Sequence, residues 1–146
     1  MKTELTSHQK ALAAHLEVPA EEITQSKYHE NEFECGGETY HVFTDLEADG
    51  AVEERIKDSI WAFNADFILH QCDLPLELTD CIRSFQGKEC ESANDALLAL
   101  VEKCAGLDKF VRAAVSADGR GHFLSSYDGE ENEVDFEGET YYIYRN

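Results

Sequence analysis

With 146 residues the chain has the length of one domain, and 42 % hydrophobic and 10 % aromatic residues are enough to build a core, which excludes a disordered acidic tail. Its 31 Asp and Glu against 12 Lys and Arg give a net charge of -19, which repels phosphate and so excludes direct binding to nucleic acid or to an anionic membrane. The charge points instead to basic partners.

The elements follow in chain order. Residues 7–17 read as a short helix carrying Leu12 and Leu16, and Pro19 suits the first turn of a second one through Ile23. Glu17, Glu21 and Glu22 argue against a DNA-binding helix-turn-helix here. Residues 30–43 read as a β-hairpin turning at Gly36-Gly37. Thr44 to Glu47 is a capping box that opens a helix to about Phe63, with Val52, Ile56, Ile60 and Phe63 as its buried stripe and Glu47, Glu54 and Asp58 opposite. Trp61 falls in the core. Asn64 caps a further turn or two with Phe67 and Ile68, and Pro75 opens a helix carrying Leu78, Ile82 and Phe85. Ser92 to Asp95 is a second capping box, opening a helix with Leu97, Leu98, Leu100, Val101 and Cys104 inward that ends at Gly106. Asp108 caps the last helix, Asp118 to Gly121 is a loop, and the chain finishes as strands over 122–127 and 131–144.

No apolar run reaches the length of a membrane-spanning helix, and the start, Met1 to Leu5, lacks the apolar core of a signal peptide. Cys35, Cys72, Cys81, Cys90 and Cys104 are odd in number and contain no CxxC pair. They read as reduced cytoplasmic thiols, several of them core-packed, and not as a disulfide framework or zinc site.

The most informative feature is an internal repeat. Residues 30–43, ENEFECGGETYHVF, and 131–144, ENEVDFEGETYYIY, align without a gap at an offset of 101, and seven of fourteen positions are identical. Acids recur with period two at Glu30, Glu32 and Glu34, and at Glu131, Glu133, Asp135, Glu137 and Glu139. In a strand that period puts them on one outward face, with Phe33, Cys35, Val134 and Phe136 turned to the core. A tight turn pairs Phe33 with Tyr40 and Glu32 with His41, and likewise Val134 with Tyr141 and Glu133 with Tyr142. Tyr142 and Tyr144 then share the outward face with the acids. A solvated strand alternates in any case, but an ordinary face mixes in Lys and Thr.

These readings give an α+β domain spanning 1–146: an antiparallel sheet of two related hairpins plus the strand at 122–127, covered by about four to six short helices. Residues on one strand face repeat about every 6.7 Å, against one charge per about 1.7 Å of duplex DNA. One row therefore supplies about a quarter of that density and two rows about half, with Glu54 and Asp58 or a second subunit supplying the rest. The expected partner is a protein with a basic nucleic-acid-binding surface, bound through Glu30, Glu32, Glu34, Glu54, Asp58, Glu131, Glu133, Asp135, Tyr142 and Tyr144, and a homodimer fits the charge argument. A protein-interaction module that is acidic only for solubility is the alternative. A third reading is a small-molecule binder or hydrolase near His122, using Arg120, Ser125, Ser126 and Asp128. No nucleophile elbow, P-loop or dinucleotide fingerprint supports it, so no catalytic residue and no cofactor is expected. Residues 128–133 are acidic but lack the calcium-loop pattern, so no metal is expected either.

The stretches Asp58 to Asn64 and Asp118 to Glu131, with Tyr142 to Arg145, resemble short acidic proteins of unassigned function encoded by bacteriophages and prophages. The similarity runs from about residue 28 to the end. It implies a phage setting, with action in the host bacterial cytoplasm against host defences. The composition, though no motif, is similar to that of antirestriction DNA mimics.

Overall fold

In the computed structural model both copies of the repeat are hairpins, and each turns through two residues of positive φ. The structure describes residues 5–146, so the reading of the N-terminal stretch as lacking a signal sequence falls mainly outside the described residues. The fold is α+β, with a five-stranded antiparallel sheet in the order β1-β2-β3-β5-β4. Its strands are β1 (Thr24–Gln25), β2 (Glu32–Cys35), β3 (Glu38–Phe43), β4 (Asn132–Phe136) and β5 (Glu139–Arg145). The expected register is the observed one: Phe33 faces Tyr40, Glu32 faces His41, Val134 faces Tyr141 and Glu133 faces Tyr142. Gly36 and Gly37 supply the left-handed pair in the first turn, while the second places Glu137 at φ 49 beside Gly138.

The chain divides into two compact units, Met1–Ala51 with Arg120–Asn146, and Val52–Gly119. The first holds the sheet, α1 (Ser7–Leu16), the start of α2 (Asp45–Ser59) and α7 (Arg120–Leu124). Thr6 and Gln9 form the capping box that starts α1. Ala11, Leu12 and Ala13 of α1 pack on the sheet face carrying Phe33, Val42, Tyr141 and Ile143, closed at its margin by Ile23. The capping box of α2 forms with both limbs: Thr44 N–H donates to Glu47 at 2.8 Å, and Glu47 N–H to the Thr44 hydroxyl at 3.4 Å.

The fifth strand is not at 122–127, as expected, but at Thr24–Gln25. Residues 120–124 are helical instead, and Ser125 and Ser126 are tied to the end of β5: Ser125 to the Arg145 carbonyl at 2.7 Å, Ser126 to the Asn146 side chain at 3.0 Å. Residues 118–121 are likewise not a loop, because α6 runs to Asp118 and α7 begins at Arg120, with Gly119 at φ 83 between them. Gly121 allows α7 to lie against the backbone at 129–130, since a Cβ there would overlap the Gly129 carbonyl.

The second unit is helical: the rest of α2, then α3 (Ala65–Gln71), α4 (Thr79–Glu89), α5 (Asn94–Cys104) and α6 (Leu107–Asp118). Val52, Ile56, Ile60, Ile68, Leu69, Leu97, Val101, Phe110 and Ala114 are among its buried side chains, and the Phe110 ring packs tilted against Phe63 at 5.5 Å and edge-on against Phe67 at 5.4 Å. Asn64 caps α3 by accepting from Phe67 N–H at 3.1 Å. The capping box expected at Ser92 does not form. Asn94 opens α5, and its side chain accepts from Trp61 N–H at 2.9 Å and donates to the Asp58 carbonyl at 2.7 Å. Asp108 does not cap α6 but sits in its first turn; Leu107 N–H donates to Glu102 at 2.9 Å. Trp61 is half-buried. Cys72 alone of the cysteines is buried; Cys35 is half-buried, and Cys81, Cys90 and Cys104 are exposed, so the expected core packing of several is corrected. Among the described residues no helix is long and apolar enough to cross a membrane.

Candidate acidic surface and its arginine clip

The hairpins do not lie side by side in the same sense. They pair through their second strands, with Tyr40 opposite Arg145, His41 opposite Tyr144, Val42 opposite Ile143 and Phe43 opposite Tyr142. At an offset of 101, Val42 and Ile143 are the same position of the repeat, and they face each other. The two copies are thus related by a local twofold through that pair, normal to the sheet. Such an axis keeps each residue on its own face, so Glu32 and Glu34 share a face with Glu133 and Asp135. It also sends the turns to opposite ends. The rows on β2 and β4 are three strand spacings apart, about 14 Å, and Glu34 and Asp135 occupy opposite corners about 25 Å apart.

Between the rows that face is partly roofed. Phe43 and Tyr144 are buried against Ala48, with Ala51, Leu124 and Tyr142 packed around them. Tyr144 is 0 % exposed, which corrects the expectation that it lies outward beside the acids. Its phenol donates to Glu131, and its pKa is raised by burial and then by that carboxylate. Tyr142 is half-buried with the Arg120 guanidinium 4.5 Å over its ring.

Arg120, read from the sequence only as a neighbour of His122, takes a role the sequence concealed. From the first position of α7 its Nε reaches Glu131 at 2.7 Å, and its Nη1 reaches Asp45 at 2.9 Å and Asp49 at 3.0 Å. Its side chain is 11 % exposed. Burial disfavours its charge, but Glu131, Tyr144 and Asp45 outweigh that and raise its pKa. The only signal in the sequence was scarcity, since residues 5–51 and 120–146 hold four Lys and Arg against 17 Asp and Glu.

The other named acids differ in what holds them. Glu30, Glu34 and Glu133 are exposed and join no ion pair among the described residues; Asp135 is exposed and accepts from the Thr140 hydroxyl at 2.7 Å. Glu32 is half-buried, 3.5 Å from His41, whose pKa is lowered by burial, with Glu32 opposing and His29 reinforcing the shift. Glu54 and Asp58 are exposed in the helical unit, Glu54 beside Lys57 at 3.4 Å. Glu47, expected on the open face of α2, is half-buried. Burial raises its pKa, but bonds from His8, Thr44 N–H and Asn31 outweigh it, so the net shift is downward. Near His122 no triad assembles: His122 is exposed with its ring edge on Phe123, and Ser125 is buried, within 3.0 Å of Asp128 and 2.7 Å of the Arg145 carbonyl. No family model, curated protein or solved structure matches the chain.

Proposed function

We propose that the chain acts by binding a protein: it occupies a basic, nucleic-acid-handling surface of a defence protein through the acidic sheet unit, as a phage-type inhibitor or decoy of the anti-CRISPR or antirestriction kind. The observation that carries this reading is the charge of that unit. Its net is -13, and two of its four described cations, Arg120 and Arg145, are already held by Asp45, Asp49, Glu131 and Glu38. Glu30, Glu34, Glu133 and Asp135 are left to present charge outward. Uncompensated carboxylates of one sign repel each other, and a basic partner relieves that repulsion while being steered onto the surface. With Tyr144 buried and Tyr142 under Arg120, the carboxylates carry the reading rather than the tyrosines.

The test is displacement of a labelled DNA duplex from restriction nucleases and RNA-guided effectors. Inhibition at about 50 mM salt should weaken at least tenfold by about 300 mM. Combined reversal of Glu34, Glu133 and Asp135 to Lys should abolish it. Binding that survives both treatments would sink the decoy reading in favour of an interaction module with solubilising charge.

A further inference from the structure

The local twofold is broken at one place, the outer edge of the sheet. In the first copy β2 is paired on both sides, with β3 inside and with β1 outside, where Thr24 faces Glu34 and Gln25 faces Phe33. Its counterpart β4 pairs on one side only, with β5. Antiparallel pairing decides which backbone groups point outward. Val42 N–H donates to the Asn31 carbonyl at 3.0 Å, so Asn31, Phe33 and Cys35 turn their groups inward, and Glu32 and Glu34 turn theirs out. Ser26 N–H duly meets the Glu32 carbonyl at 2.8 Å. The offset of 101 carries Glu32 and Glu34 onto Glu133 and Asp135, whose N–H and C=O groups point away from β5 and have no partner among the described residues.

We propose that the outer edge of β4 accepts an extended segment of a partner protein as a sixth strand, and that this segment alternates basic and apolar residues. An open edge is a template for strand addition, with main-chain bonds giving affinity and alternate side chains giving specificity. The side chains here state the complement. On one face the added strand meets Glu133 and Asp135, with exposed Glu130 and Glu137 near the ends; on the other it meets the half-buried Val134 and Phe136. A second copy of β4 would set acid against acid, which antiparallel pairs disfavour. The inference goes beyond the decoy reading, which needs charge but no backbone pairing.

The probe is a fluorescein-labelled peptide, Lys-Val-Arg-Val-Lys-Val-Arg, with an analogue N-methylated at the backbone nitrogens of its basic residues, titrated by anisotropy against the full chain. The structure requires N-methylation to weaken binding about tenfold or more. Asp135→Pro removes one outward N–H without touching the β4–β5 ladder, as edge strands tolerate. It should weaken binding about tenfold, against threefold or less for Asp135→Asn, which removes only the charge. Equal affinity for both peptides would overturn the inference while leaving the charge-based decoy standing. So would failure of the unmethylated peptide to bind, or a concentration-dependent dimer that Asp135→Pro abolishes, which would give the edge to a second copy. Because the N-methylated analogue leaves the protein unaltered, the result does not depend on how Asp135→Pro folds.

Discussion

Replacing Arg120 by Gln asks whether one guanidinium clips the sheet unit together. The partner side chains of its two aspartate pairs are 66 % and 63 % exposed, so each pair contributes about 0.5 kcal/mol. Glu131 is better shielded at 32 %, and a charge-assisted hydrogen bond there contributes about 1.5 kcal/mol. The stacking on Tyr142 adds about 0.5 kcal/mol. The side chain as a whole is therefore worth about 3 kcal/mol at low salt, of which the exposed part is screened at about 0.5 M salt. Amide hydrogen exchange of Tyr141, Tyr142 and Ile143, in the same unit as Arg120, reads this without reporting on the helical unit. Arg120→Gln should lower protection by about 3 kcal/mol at low salt and by about 2 kcal/mol at high salt. Arg120→Lys should recover less than half, since an ammonium lacks the planar fork that serves three carboxylates and a ring at once. A loss below about 1 kcal/mol, or full recovery by Lys, would refute the clip.

Three further outcomes follow from single residues. Glu137 occupies a left-handed position that Gly36 fills in the first copy, so Glu137→Asn should raise the urea midpoint, by about 1 kcal/mol in stability. His41 keeps a lowered pKa through burial, so the unfolded chain takes up the proton first. Its contribution is present above the ordinary His value and is lost as pH falls from there through the lowered value of the folded state, and stability should drop below about pH 7 with a flatter slope in His41→Gln. The Cys72 thiol is buried and its pKa is raised by that burial and by Cys104, so mass spectrometry after brief iodoacetamide treatment should find Cys81, Cys90 and Cys104 labelled before Cys72.

The hairpins were legible down to register because period two, a two-residue turn and a gapless repeat are all local signals. The burial of Tyr144 was not. Alternation assigns a side chain to a face but not to a covered or open part of it, and the cover comes from Ala48, Ala51 and Leu124, which lie outside the strand. Arg120 stood in what read as a loop, and its three carboxylates come from positions 45, 49 and 131. β1 escaped notice because it has two residues, both exposed, with no pattern to read. Ser92 lost its capping role to Asn94, whose side chain found Trp61 and Asp58, a tertiary preference that no local motif encodes.

The local twofold also explains how a sheet tolerates two copies of an acidic hairpin. Related by translation, β2 and β4 would lie two strand spacings apart with their acids level, about 10 Å. Related by rotation, they lie three spacings apart with Glu34 and Asp135 at opposite corners, about 25 Å apart and well beyond the screening length of about 8 Å at physiological salt. The corner carboxylates Glu34 and Asp135 then neither strain nor assist each other, and a basic partner meets them as two separate sites. Reversal of Glu34 and reversal of Asp135 to Lys should accordingly weaken binding of protamine by amounts that add within about 0.5 kcal/mol in calorimetry. A double variant no weaker than the stronger single one would mean that both rows are read as one surface, and the independence drawn from the twofold would fail.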